Sequence, residues 1–152
     1  MKTVFENEIT EDTKSQIEDM AKELTPQFFT VGFAENMRID MGFQRAVYIK
    51  EGARILSCIV YTCLDGSLHI TMMATRRELQ GKGYGKKLIQ KFFEYALSVG
   101  LNGIELLTFS PESKPAYTAT VGFYKSVGFE IEREHRDLWE KGTTTLKMRK
   151  EL

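Results

Sequence analysis

A glycine-rich segment at residues 80–87 has the composition best suited to chemistry. It reads Gln-Gly-Lys-Gly-Tyr-Gly-Lys-Lys and lies between a predicted strand and a predicted amphipathic helix. Glycine allows successive backbone N–H groups to turn toward a ligand, and the first turn of a helix adds unpaired donors and partial positive charge. Together with the lysines, these groups predict a local site for phosphate or pyrophosphate.

Two nucleotide-binding motifs do not fit this segment. A P-loop requires Gly-Lys followed by Ser or Thr, but Lys82 is followed by Gly83. A Rossmann fingerprint requires GxGxxG and an acidic residue at the end of the next strand. Here the glycines run GxGxG, and Glu105 lies near the start of that strand. The spacing excludes both motifs, and a tight connection with solvated lysines is the alternative to an anion site.

The surrounding sequence predicts the elements that must position this loop. Apolar runs predict strands at residues 46–49, 54–64, 68–74, 104–109, 130–135 and 143–149. Helical periodicity predicts helices at residues 10–24, 34–41, 83–97 and 115–127. Because three strands joined by glycine-containing turns precede the first crossover helix, we expect a mixed sheet rather than a regular βαβ repeat.

Composition limits the partners that the chain can have. It has 152 residues, with 21 Lys plus Arg and 21 Asp plus Glu, so the formal net charge is zero. This predicts one domain over residues 1–152, without a global field to hold nucleic acid or an anionic membrane. No apolar run approaches the ~20 residues of a membrane span, and the N-terminus lacks a secretory region. Cys58 and Cys63 are expected to be reduced thiols on opposite faces of one strand, in a cytoplasmic protein.

The glycine loop resembles a loop of the GCN5-related N-acetyltransferases, the GNAT superfamily. The family pattern is (Arg/Gln)-x-x-Gly-x-(Gly/Ala), and here it reads Gln80-x-x-Gly83-x-Gly85. A second segment, Phe-Tyr-x-x-x-Gly-Phe at residues 123–129, is similar to the family's second signature, and the order of predicted elements also matches. The resemblance implies a single-domain α/β (α+β) fold, with helices flanking a mixed, mostly antiparallel central sheet of about six to seven strands.

The resemblance also implies direct transfer of the acetyl group of acetyl-CoA to a primary amine, with no metal. In the family the loop binds the pyrophosphate of acetyl-CoA, and the backbone at the end of the preceding strand binds its pantetheine and acetyl groups. The residues carried over are Met73, Ala74, Thr75, Gln80, Gly81, Lys82, Gly83, Tyr84, Gly85 and Lys86. The implied acceptor is a small molecule or peptide; no nucleic acid or membrane partner is implied, and a homodimer is compatible with the family.

Two side chains are candidates for proton transfer. The resemblance places Tyr124 near the CoA sulfur, where its phenol could protonate the leaving thiolate; the alternative is a core aromatic. His69 stands where several family members have a glutamate, and imidazole accepts a proton near neutral pH. A histidine bonded to a sheet neighbour, a base at Thr71, Glu112 or His135, and a water chain without a dedicated base stay open. The missing glutamate also leaves open a catalytically silent module that binds or senses acetyl-CoA.

Overall fold

The computed structural model of the protein describes residues 1–152 and contains seven strands in one mixed sheet. The strands are β1 Lys2–Glu6, β2 Arg45–Glu51, β3 Arg54–Leu64, β4 Ser67–Thr75, β5 Gly103–Phe109, β6 Glu130–Arg136 and β7 Thr144–Glu151. Their order in the sheet is β1-β2-β3-β4-β5-β7-β6. The pair β4–β5 is parallel, and the pairs β1–β2, β2–β3, β5–β7 and β6–β7 are antiparallel. This confirms the predicted mixed sheet flanked by helices.

All four predicted α-helices are present. They are α1 Glu11–Glu23, α2 Phe33–Asp40, α3 Tyr84–Ser98 and α4 Thr118–Ser126. The Thr10 side chain accepts the backbone N–H of Thr13 and so provides the N-cap that starts α1. Ahead of α4, Pro115–Tyr117 forms a 3-10 turn rather than the first turn of the predicted helix. The helices are too short or too polar for any of them to span a bilayer.

Strand β1 is an element that the sequence analysis did not predict. It pairs antiparallel with β2 over its whole length. Its last residue, Glu6, accepts the Thr10 N–H at 2.8 Å and the Thr13 hydroxyl at 2.6 Å, and it contacts the Tyr48 hydroxyl. A strand this short carries too little periodicity to be recognised alone, and these contacts to the start of α1 are made only in the folded chain.

The hairpin between β3 and β4 is closed by Asp65 and Gly66, as the sequence predicts. Their φ angles of 53° and 76° lie in the left-handed region, which a two-residue hairpin turn of the primed type requires. The Gly66 carbonyl also accepts the backbone N–H of Asn102, at 3.1 Å. The turn sets the position at which β4 starts, and therefore which of its residues share a face.

The chain divides into two compact units. The first comprises Met1–Thr62 and Thr71–Tyr95, and the second comprises Cys63–Ile70 and Ala96–Leu152. Strands β1 and β2 and helices α1 and α2 belong to the first, and β5–β7 and α4 belong to the second. The single domain over residues 1–152 stays a prediction.

The core of the first unit lies between α1, α2 and one face of its strands. Its buried side chains include Ile17, Met20, Ala21, Ala34, Met37, Ala46, Tyr48, Cys58, Val60, Met72 and Ala74. Since side chains alternate along a strand, Met73 and Thr75 point to the opposite face of β4 from Met72 and Ala74. The buried alternate residues therefore anchor β4, while Thr71, Met73 and Thr75 on its second face are exposed or partly exposed.

Candidate active site

The glycine loop lies between the end of β4 and the start of α3, as predicted. Gly81 and Gly83 have φ angles of 77° and 89°, a conformation that favours glycine. A Cβ atom at either position would have no heavy atom within 4 Å, so both residues face open space. Helix α3 begins directly after Gly83, whose carbonyl accepts the Lys87 N–H at 3.0 Å. The unpaired N–H groups of the first turn are therefore exposed beside an open loop.

The charges at the start of α3 favour an anionic ligand. No acidic side chain lies in the first turn of the helix, where one would offset the helix dipole. Lys82, Lys86 and Lys87 are exposed there instead. Lysine charges beside the positive end of a helix dipole repel it electrostatically. A bound phosphate would offset both the lysine charges and the dipole.

Gln80 ties the loop to the strand that precedes it. Its side-chain Nε2 donates to the Thr75 carbonyl at 3.1 Å. Just before the loop, the Arg77 guanidinium donates to the Glu23 carbonyl at 2.8 Å and to Gln27 Oε1 at 3.0 Å. These bonds hold the segment between β4 and α3 against the end of α1, which preorganises the open loop. The sequence predicts Gln80 as a ligand-binding residue, and the structure shows its amide in a bond to the protein backbone.

The backbone N–H and C=O groups of successive residues in β4 point alternately toward β3 and away from it. The Arg76 N–H donates to the Leu56 carbonyl of β3 at 3.0 Å, so the backbone groups of Ala74, two residues earlier, also face β3. The N–H groups of Met73 and Thr75 then point away from β3. Among the three predicted backbone donors, Met73 and Thr75 are therefore the ones with N–H groups that are not directed at β3.

The two cysteines are free, and they differ in environment. Cys58 is buried and Cys63 is exposed, and their location on opposite faces of β3 stays a prediction. Burial raises the pKa of the Cys58 thiol to about 12, although the Ala74 backbone and the charge of Arg76 act against the shift. The Cys58 thiol is therefore protonated at neutral pH and unsuited to nucleophilic chemistry.

Tyr124 lies in the last turn of α4 and is 7% exposed. The helix ends in a Schellman motif: the Phe129 N–H donates to the Tyr124 carbonyl at 3.0 Å, and the Gly128 N–H donates to the Lys125 carbonyl at 3.1 Å. Gly128 has a φ of 104°, and the Phe129 ring packs edge-to-face on Tyr124 with centroids 5.4 Å apart. The Gly-Phe of the second signature thus stops the helix and fixes Tyr124.

The protonation state of Tyr124 suits a proton donor. Burial raises the pKa of its phenol above the ordinary value of 10. The hydroxyl therefore carries its proton at neutral pH. A buried, protonated phenol has its proton available for an atom that develops negative charge next to it.

His69 pairs with a carboxylate across the parallel strands. His69 of β4 is in register with Glu105 of β5, and Nε2 lies 3.4 Å from Glu105 Oε2. Glu105 also accepts the Arg149 guanidinium at 2.6 Å and lies 3.5 Å from Lys147 Nζ. Burial opposes ionisation, but the Arg149 hydrogen bond and the charge of Lys147 lower the pKa of Glu105. Glu105 is therefore anionic at neutral pH and holds one side of the imidazole.

The other candidates for the base differ in their surroundings. The Thr71 hydroxyl donates to the Val60 carbonyl at 3.1 Å and contacts Gln44, so it is already engaged. Glu112 is exposed, and His135 is half-buried on β6. Sequence reasoning did not identify Glu105 as a partner of His69, because the pairing depends on the register of two strands that are distant in sequence.

A family profile described as an acetyltransferase (GNAT) domain matches residues 43–131. The chain belongs to the GNAT acetyltransferase family. The matched range includes the glycine loop, His69 and Tyr124, so the resemblance inferred from the two signatures is confirmed. No curated protein matches the sequence of this GNAT acetyltransferase.

Solved structures share the fold of this GNAT acetyltransferase. A Desulfovibrio desulfuricans protein assigned as an acetyltransferase of the GNAT family has a TM-score of 0.85 at 16% identity, with 99% of each chain covered. The Escherichia coli ribosomal-protein-S18-alanine N-acetyltransferase has a TM-score of 0.79 at 10% identity, covering 99% of this chain and 94% of that one. An aminoglycoside 6'-N-acetyltransferase complexed with coenzyme A has a TM-score of 0.77 at 15% identity, covering 99% and 97%. At these identities the likeness establishes the fold.

Proposed function

We propose that this acetyltransferase moves the acetyl group of acetyl-CoA to a primary amine of a small molecule or peptide. The observation that carries the proposal is the open loop at the start of α3, which combines backbone donors and lysines with a first turn free of acidic residues. This arrangement fits the pyrophosphate of coenzyme A. Two proteins with the same fold are named as N-acetyltransferases, and one of them is complexed with coenzyme A.

The strand and loop bind and polarise the thioester in this proposal. The backbone of Gln80, Gly81, Lys82, Gly83, Tyr84, Gly85 and Lys86 holds the pyrophosphate. The N–H groups of Met73 and Thr75, which point away from β3, donate to the acetyl carbonyl. Negative charge develops on that oxygen as the amine attacks, and preorganised backbone donors stabilise it.

Proton transfers complete the reaction. The amine nitrogen forms a bond to the carbonyl carbon, and the carbon–sulfur bond breaks with its electron pair on sulfur. The nitrogen gives up one proton to a base, and the sulfur takes one proton from the Tyr124 hydroxyl, so the products are an amide and free coenzyme A. Burial keeps Tyr124 protonated for this step.

His69 is the proposed base for the amine. Because Glu105 lies on its Nε2 side, the neutral imidazole places its proton on Nε2, which leaves Nδ1 to accept a proton directly or through water. In this chain His69 stands where several family members have a glutamate, and a glutamate from the neighbouring strand, Glu105, lies beside it. Glu105 positions the ring, and His69 exchanges the proton.

Substitution of His69 by alanine is expected to lower kcat about 100-fold. The rate falls because no imidazole is left to accept the proton of the attacking amine. Steady-state rates at saturating acetyl-CoA check this. His135→Ala replaces the other histidine of the chain and should keep the rate of the wild type. A rate that falls in His135→Ala but not in His69→Ala would transfer the role to His135.

The proposed function is tested by thiol release from acetyl-CoA across a panel of amines. The panel contains alkylamines, polyamines, amino acids, aminoglycosides and short peptides, and thermal shift with acetyl-CoA and CoA is measured alongside. Release with at least one amine supports the proposal. A thermal shift without release for any amine would indicate the silent acetyl-CoA-binding module. No shift with either compound would overturn acetyl-CoA as the substrate.

A further inference from the structure

Three aromatic rings and one ion pair lie together within the second unit. We call this group the aromatic cluster; its residues are Phe109, Lys114, Tyr117, Trp139 and Glu140. The Phe109 centroid lies 5.4 Å from that of Tyr117 and 4.9 Å from that of Trp139, both edge-to-face. Phe109 is buried, whereas Trp139 is 47% exposed. The cluster therefore has an apolar floor and is open to solvent at Trp139.

The Lys114 ammonium occupies this cluster. Its Nζ lies 5.0 Å from the centroid of the Phe109 ring and 3.1 Å from Glu140 Oε2. An aromatic face and a carboxylate on one ammonium are the two attractions that proteins use to bind organic cations. The occupant here is a side chain of the protein itself, and it is partly exposed rather than sealed in, with 37% of its surface accessible.

The walls of the aromatic cluster are held independently of the Lys114 side chain. The Lys114 N–H donates to the Ser110 carbonyl at 2.9 Å, and the Tyr117 N–H donates to the Lys114 carbonyl at 2.9 Å. Both are backbone bonds, so they persist when the side chain is shortened. On the other side, the Thr143 N–H and hydroxyl donate to the Glu140 carbonyl at 3.2 and 2.7 Å. A preformed site would therefore remain if the ammonium left.

The charge of the aromatic cluster without Lys114 would be negative. Burial and the nearby Glu140 charge raise the pKa of the Tyr117 phenol to about 12, so that ring is neutral at physiological pH. Glu140 is then the one charged group of the emptied cluster. A cation is favoured over a neutral molecule of the same shape.

We propose that the aromatic cluster is a binding site for organic ammonium ions, in which Lys114 takes the place of the ligand when none is bound. A tethered group competes at an effective concentration in the millimolar range, so a ligand must displace Lys114 to enter. Primary amine acceptors belong to this class in their protonated form, and that link rests on the proposed function. The cation site itself does not require acetyl transfer.

The test replaces Lys114 with alanine and refills the site with n-butylammonium, which reproduces the lysine side chain. Trp139 is the only tryptophan of the chain, so its fluorescence reports on the aromatic cluster directly. Without acetyl-CoA, we expect n-butylammonium to change the Trp139 fluorescence of Lys114→Ala in a saturable way. The half-saturating n-butylammonium concentration should be at least about tenfold lower than for the wild type. Equal responses of the two proteins, or no saturable response, would overturn the proposal.

Three comparisons separate a cation site from a general apolar surface. The uncharged n-butanol should give no saturable change, and Glu140→Gln in the Lys114→Ala background should weaken n-butylammonium binding at least about fivefold. Lys125→Ala, which removes an exposed lysine of α4, should behave as the wild type. Binding of n-butanol equal to that of n-butylammonium, or no effect of the Glu140 change, would contradict the proposal.

A second variant guards against a failure to fold. Lys114 precedes the 3-10 turn in extended conformation, a position that serine suits. Circular dichroism checks that Lys114→Ser is folded, and this variant is then titrated with n-butylammonium in parallel. If neither variant folds, the wild type decides: a saturable response to n-butylammonium that n-butanol does not give supports the site, and its absence overturns it. Failure of acetyl transfer with any amine would leave these fluorescence results unaffected, so the two proposals fail separately.

Discussion

Tyr124→Phe is expected to lower kcat at least about 100-fold, while the Kd for acetyl-CoA changes by less than about twofold. The substitution removes one hydroxyl and keeps the ring that packs on Phe129. The Schellman bonds at the end of α4 are made by the backbone, so the fold is unchanged. Without the phenol, the thiolate leaves unprotonated, and the chemical step slows. Single-turnover kinetics and calorimetric titration with acetyl-CoA measure the two quantities separately.

The control for this prediction is Tyr61→Phe. Tyr61 is a fully buried tyrosine in β3, and it lies outside the proposed catalytic groups. Its hydroxyl can be removed with the same change in composition, and kcat should stay within about twofold of the wild type. A single-turnover rate in Tyr124→Phe equal to that of the wild type would remove Tyr124 from the mechanism.

Gly83→Ala is expected to weaken acetyl-CoA binding at least about tenfold and to destabilise the protein by about 1 kcal/mol. With a φ of 89°, alanine is strained at this position, and its methyl group would project into the open space of the loop. Relaxing the strain turns backbone N–H groups away from the pyrophosphate. Calorimetric titration gives the affinity, and denaturant unfolding gives the free energy of unfolding.

Gly100→Ala is the matched control for the loop glycine. Gly100 follows α3 at its other end, with a φ of 80° and, like Gly83, no heavy atom within 4 Å of an added Cβ. The two substitutions therefore introduce the same strain and similar losses of stability. If both variants bind acetyl-CoA equally, the effect of Gly83→Ala would be one of stability, and the loop would lose its proposed role.

Local patterns in the sequence predict most of the fold. The 3.6-residue apolar stripe that ends before Gly100 predicts α3, and Asp65-Gly66 predicts the hairpin between β3 and β4. Both depend on residues that are close in the chain, where periodicity and turn preferences act. β1 was missed because it is a short edge strand stabilised by pairing with β2 and by the contacts of Glu6, which are distant in sequence.

The candidate site likewise contains some features that local sequence predicts and others that depend on strand pairing. The glycines of the loop and the Tyr-x-x-x-Gly-Phe segment are visible in the sequence because each is one contiguous stretch. The distinction of Met73 and Thr75 from Ala74 as donors requires the pairing of β4 with β3. The partner of His69 requires the register with Glu105. Such relations arise when strands align, and residue spacing does not encode them.

The Schellman motif at the end of α4 shows that the second signature combines a folding task with a proposed chemical task. Gly128 and Phe129 end the helix, and the Phe129 ring packs on the ring of Tyr124. A phenylalanine at position 124 would serve this folding task equally well. The phenol oxygen is the part of the motif that carries the proposed acid chemistry. A related chain that keeps Gly-Phe but has lost this oxygen would fold normally and still score as a family member in a motif search. Among homologues, the identity of this one residue is therefore the expected marker that separates working catalysts from pseudoenzymes.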